Sequence, residues 1–144
     1  MFCYNFAMRK KYPLESLFRA LADRTRLRLL HLMAEQEICV CYFVTVIDVP
    51  QPKISRHLAY LRRAGIVAAR REGKWMHYRL AVPADPHAAA ILKATLGALQ
   101  QDKELRNDLQ RFHRLCCGPN SLVQLMGAPA PVSAVESMSQ TSVP

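Results

Sequence analysis

Apolar residues recur along this chain first at helical spacing and then at strand spacing. From Pro13, Leu14, Leu17, Phe18 and Leu21 fall on one helical face. Asp23 is placed to cap a second helix through Leu27, Leu29 and Leu30, running to about Gln36. A short third helix is expected from Cys41 to about Asp48. In a fourth, Pro52 suits the first turn, where its missing N–H is not needed. Ile54, Leu58 and Leu61 follow at steps of four and three, and Gly65 stands where the helix should stop. The pattern then changes. Ile66 to Arg71 and Trp75 to Leu80 are rich in β-branched and aromatic residues around Glu72-Gly73-Lys74, which predicts a hairpin. Beyond Pro83 and Pro86 a long last helix is expected over about 87–116. Its Leu92, Leu96, Leu99, Leu105, Leu109, Phe112 and Cys116 form a narrow apolar seam, as in paired helices.

A run of helices ending in a hairpin and one more helix predicts a mainly α fold with a small β-hairpin, a winged helix-turn-helix, dimeric through its terminal helices. Residues 1–12 are expected to be a flexible basic arm, 13–117 a DNA-binding and dimerisation domain, and 118–144 a disordered tail. That tail holds four prolines and one charge, Glu136. A chain of 144 residues suits one domain.

Charge sharpens this picture. The formal net charge is +9, which favours a polyanionic partner. No apolar run approaches the roughly 20 residues that span a bilayer, so no membrane role is expected. The N-terminus has its basic residues after the apolar ones, the reverse of a secretory signal, and a cytoplasmic location is expected. Between Gln51 and Arg79 there are eight Lys or Arg and a single acidic residue, Glu72. A helix entering the major groove needs short polar or basic side chains near its start. Gln51, Pro52, Lys53, Ser55 and Arg56 stand there, with His57 and Tyr60 a turn further on. Arg70, Arg71 and Lys74 on the hairpin would hold phosphates. Double-stranded operator DNA is thus the expected partner, read by a twofold homodimer across a palindrome. A solvated basic face is the blander alternative; the coincidence of the charges with helix and hairpin argues against it.

Five cysteines, Cys3, Cys39, Cys41, Cys116 and Cys117, are odd in number and closely spaced, unlike a disulfide framework. In a reducing compartment such clusters bind metal or do redox work. Residues two apart on an α-helix point about 200° from each other. Cys39 and Cys41 can therefore share an ion only if the helix begins at Cys41 or unwinds there.

The stretches LADRTRLRLL (21–30), EICVC (37–41), QPKISRHL (51–58), LRRAGIV (61–67) and REGKWMHYRL (71–80) together resemble the ArsR/SmtB family of metal-sensing repressors, and within it the arsenical-resistance operon repressors. The resemblance covers about residues 14–81. It implies a dimeric winged-helix repressor that leaves its operator when trivalent arsenic or antimony binds cysteine thiolates. Cys39 and Cys41 match the first two cysteines of an ELCVCDLC-like motif; its third cysteine is Val44 here, its Asp is Tyr42, and the Ser before QPKIS is Pro50. The missing thiolate is sought in Cys116 and Cys117, or in Cys3 of the arm. No organic cofactor is implied. The same-fold alternative is a cadmium, lead or zinc sensor. The Asp and His ligands of the zinc branch have no counterpart in the scattered His87, Asp102 and His113. A thiol redox switch is a further alternative, weakened because one-apart and adjacent cysteines form strained disulfides. Enzyme activity is not expected: there is no catalytic triad or carboxylate dyad, and no Gly-rich anion loop follows any cysteine.

Overall fold

The computed structural model describes residues 12–117 and 128–133. Helices α1 (Leu14–Leu21) and α2 (Arg24–Leu32) lead to a short strand β1 (Gln36–Cys39), then α3 (Val40–Ile47), α4 (Gln51–Arg63), the hairpin β2 (Val67–Glu72) and β3 (Trp75–Leu80), α5 (Pro86–Leu99), α6 (Lys103–Cys117) and β4 (Val132–Ser133). This is the expected winged helix-turn-helix.

Local chemistry sets most of these boundaries. Asp23 caps α2, its carboxylate accepting from the Arg26 N–H at 3.0 Å. Asp48 ends α3 in the left-handed region (φ 58°), which aspartate tolerates better than most residues. Gly65 (φ 79°) closes α4 with paired bonds, Ile66 N–H to Leu61 O and Gly65 N–H to Arg62 O, which absorb carbonyls the helix leaves open. Between Glu72 and Trp75 the wing turns through two residues, and Gly73 supplies the positive φ that such a turn needs.

The core gathers Leu17, Leu29, Leu30, Tyr42, Phe43, Ile54, Leu58, Leu61 and Phe112, all fully or almost fully buried. Ile54, Leu58 and Leu61 seat α4, which packs on α2 and α3 and leaves its opposite face to solvent.

Four expectations need correction. The long last helix is two. The chain breaks at 100–102, because Asp102 caps a new helix by accepting from the Leu105 N–H (3.2 Å) while its carboxylate is gripped by Arg24. The seam on α6 does not face outward: Leu105, Asp108 and Phe112 are buried against α2 and α3, so this stretch is intramolecular core. The second helix ends at Leu32, and residues 36–39 form β1, whose pairing with β3 (Ile38↔Tyr78, Cys39↔His77) ties it to the wing. Lastly, part of the expected tail is ordered on the domain. β4 pairs antiparallel with β1 (Gln36↔Ser133, Glu37↔Val132), Ala128 is buried, and the Tyr42 hydroxyl donates to Pro129 O at 3.2 Å. The sheet order is β2-β3-β1-β4. The rest of the expected tail, and residues 1–11 of the arm with Cys3, lie outside the described residues; Tyr12, the last residue of the arm, donates its hydroxyl to Ala64 O. Among those described, no helix is long and apolar enough to cross a membrane.

Candidate DNA interface and thiol site

On α4, Gln51, Pro52, Lys53 and Arg56 are exposed and Ser55 is half-buried. Among the described residues neither Lys53 nor Arg56 has a carboxylate partner, so their charge is free for an external anion. His57 and Tyr60 are differently placed. The His57 Nδ1 lies 3.5 Å from the Arg26 guanidinium and 3.7 Å from the Asp23 carboxylate, and burial pushes its pKa down. The Tyr60 ring sits beneath the Arg26 guanidinium, 4.3 Å from the ring centre. Both side chains hold α4 to the start of α2.

On the wing, Arg71 and Lys74 are exposed, with the Lys74 ammonium 5.0 Å over the Trp75 ring. Arg70 is engaged: its Nε donates to the Glu37 carboxylate at 3.1 Å and its Nη1 to Glu72 at 3.2 Å. Lys53 and Arg56 on α4 and Arg71 and Lys74 on the wing thus have no carboxylate partner among the described residues. Positions this far along a projecting helix and hairpin match groove reading by the one and phosphate contact by the other.

The thiols converge at the junction of strand and helix. Cys39 is the last residue of β1 and the N-cap of α3, with extended backbone (φ −69°, ψ 143°), while Cys41 is in the first helical turn. Because Cys39 stands outside the helix, the 200° divergence does not apply. The Cys41 thiol donates to the Cys39 sulfur at 3.3 Å. That bond lowers the Cys39 pKa to about 7 against the opposing effect of burial, helped by the N–H groups of Cys41, Val40 and Met76. Cys41, as the donor and half-buried, is pushed up. A thiol made more acidic at a helix N-terminus, with a second thiol beside it, makes a two-sulfur site for a soft ion.

The other expected ligands do not join them here. Cys116 is half-buried, and its thiol donates to the His113 carbonyl oxygen at 3.5 Å. Cys117 closes α6, and its side chain lies outside the described residues. Among the described residues there is no group of three or more His, Cys, Asp or Glu that could hold a metal ion. Two functional neighbours went unnoticed in the sequence. Glu37 is buried (2% exposed) and pairs with Arg70, and Arg26 supports both His57 and Tyr60. The local signal for Glu37 is an acidic residue directly before the apolar run Ile38–Val44; nothing local marks Arg26.

A family profile described as "Bacterial regulatory protein, arsR family" matches residues 23–69, which span α2 through the first strand of the wing. The arsenical resistance operon repressor of Escherichia coli K12 is 51% identical over 77 residues, 53% of this chain and 66% of the relative. The arsenic resistance transcriptional regulator ArsR1 of Pseudomonas putida KT2440 is 46% identical over 86 residues, 59% of this chain and 67% of the relative. The chain belongs to the arsR family. The chain spans about two thirds of the length of these relatives. In three dimensions the arsR-family protein is similar to HlyU of Vibrio cholerae, with a TM-score of 0.53 and 27% identity over 61% of this chain and 92% of that one. These relatives are transcriptional regulators, and the family region includes both α4 and the EICVC stretch.

Proposed function

We propose that this arsR-family protein is a repressor of an arsenic-resistance operon. It sits on operator DNA as a homodimer and leaves when trivalent arsenic or antimony binds Cys39 and Cys41. The observation that carries the reading is the 3.3 Å approach of the two sulfurs at the start of the helix-turn-helix. Gln51, Lys53, Ser55 and Arg56 read base edges, and Arg71 and Lys74 hold phosphates, while His57 and Tyr60 brace the reading helix. Arsenite would lose two hydroxides as water, using the protons of the two thiols, and form two As–S bonds with arsenic remaining trivalent. A third ligand comes from Cys116, Cys117, Cys3, water or a small thiol. Because α6 turns its seam inward, the surface left for a second copy is on α1 and α5. Phe18 is exposed on α1 and Val82 in the connection leading into α5, and an apolar groove of about 900 Å³ runs along α5 beside Met33 and Gln36. The setting would be the cytoplasm.

The test is an operator-release titration with arsenite followed by fluorescence anisotropy, with cadmium as a parallel titrant. Cys39→Ser/Cys41→Ser should abolish release by arsenite, whereas Cys116→Ser/Cys117→Ser should weaken it only if the helix end completes the site. Release by cadmium and not by arsenite would replace this reading with a cadmium, lead or zinc sensor. Release that needs an oxidant would make the pair a redox switch.

A further inference from the structure

The thiol site and the wing are joined by a row of side chains on one face of the sheet. Cys39 on β1 stands opposite His77 on β3, and His77 stands opposite Arg70 on β2. Directly paired residues share a face, and so do residues two apart on a strand, so Glu37 lies on that face as well. Its carboxylate is 2% exposed and accepts from Arg70, with His77 Nδ1 3.9 Å away. The His77 Nε2 lies 3.2 Å from the Glu72 carboxylate, at an angle that makes no hydrogen bond. A cation reaches across the middle strand of the wing sheet to a carboxylate two residues before the first sensor cysteine.

That arrangement has a mechanical meaning. A buried carboxylate stripped of its partner is costly, so Glu37 and Arg70 move together or the pair breaks at a large penalty. Arg70 is one pleat from Arg71 and close to the turn at Gly73-Lys74, where the phosphate contacts are expected. Capture of an ion would exchange the thiol–thiol hydrogen bond for bonds to the ion, and Cys39 is the last residue of β1, so any shift of its sulfur would bear on that strand.

We propose that Glu37 is a positioning residue that couples the thiol pair to the wing: through its grip on Arg70 it makes the wing follow β1, so that ion capture is felt at the phosphate contacts as well as at α4. The inference rests on the proposed function and adds a second route by which the same site acts on DNA. Glu37 itself touches neither ion nor DNA. The quantity that reports it is the factor by which arsenite weakens operator binding, for which coupled sites typically give about 5-fold to 150-fold.

The experiment uses the full chain and reads two things. Arsenite uptake is followed without DNA by the near-ultraviolet absorption of arsenic–thiolate bonds, and operator affinity is followed by anisotropy with and without arsenite. Glu37→Gln should take up arsenite as the wild type does, while the weakening factor falls at least fivefold. Arg70→Gln, at a half-exposed position, should lower the factor equally, and the double variant should be no worse than either single one, as expected for two residues acting as one unit. If Arg70→Gln, which leaves the buried Glu37 without its partner, prevents folding, Glu37→Gln alone carries the test. An unchanged weakening factor in these variants overturns the coupling role and leaves the thiol sensor intact. Failure of the wild type to take up arsenite overturns the sensor reading, and the coupling role with it.

Discussion

Two regions of this molecule are rich in arginine, and they do opposite things. Between α2 and α6, Arg24 grips Asp102 and Glu104, and Arg28 lies against Asp108 at 2.6 Å and Glu104 at 3.6 Å. On α4 and the wing, Lys53, Arg56 and Arg71 face no carboxylate among the described residues. Cations of the first kind lock two helices and set the break between α5 and α6. Those of the second kind are left with charge to spend on an external polyanion. Density of positive charge therefore does not mark a DNA surface; the lack of internal partners does.

The largest expected effect breaks the second region. Lys53→Ala/Arg56→Ala should weaken operator binding by at least about a thousandfold, the loss expected from one protomer at about 2 kcal/mol for each of its two base contacts. The melting temperature should stay close to wild type. An equal loss on operator and on unrelated DNA would make these residues phosphate contacts and not base readers. Next comes the seam. Arg28→Ala leaves Asp108, 3% exposed, as a buried charge without its guanidinium and should cost about 3 kcal/mol in chemical denaturation. Operator affinity of the folded protein should hold. Arg71→Ala should weaken binding several-fold on any sequence and reduce the salt dependence of the affinity by about one unit per protomer. Arg24→Ala, at a largely exposed pair, should cost far less than Arg28→Ala in the same denaturation experiment. A loss as large as that of Arg28→Ala would mean the whole network acts as a unit.

The mildest expectation concerns pH. His31 is buried on the α2 side of the seam, and burial, outweighing Asp108 and Asp102, lowers its pKa below the ordinary 6.5. The unfolded chain then takes up a proton before the folded one does, so stability declines as pH falls below about 6.5 toward the lowered value. His57 shifts in the same direction. His31→Leu should flatten, without abolishing, the fall in melting temperature between pH 7 and 5. A variant with the full wild-type slope would assign the dependence to His57.

What was legible in the sequence follows from what is local. Asp23, Pro52, Gly65 and the turn at Gly73 announce their elements because caps and turns are decided within a few residues. Ile54, Leu58 and Leu61, which seat α4, are legible from their spacing alone; Tyr60, which spacing puts on the outer face, packs under Arg26 instead. β1 was missed because four residues with a buried Glu37 in their midst carry no alternation to recognise. The break at 100–102 was missed because the leucine rhythm runs across it, and what stabilises it is Arg24, 78 residues earlier. The pairing of Arg70 with Glu37 is invisible in the local pattern, since its partner stands 33 residues away on that short strand. The thiol pair was half legible. Helix geometry ruled out convergence within a regular helix, but only the backbone turn from β1 into α3 shows how the sulfurs meet.

The strand formed by Val132–Ser133 has a consequence for handling the protein. β1 has β3 on one side and β4 on the other, and without β4 its outer N–H and C=O groups would be an open template for another chain. Versions that stop before residue 128 should therefore associate edge to edge and mimic a concentration-dependent oligomer, which would obscure the stoichiometry of any ion uptake measured on them.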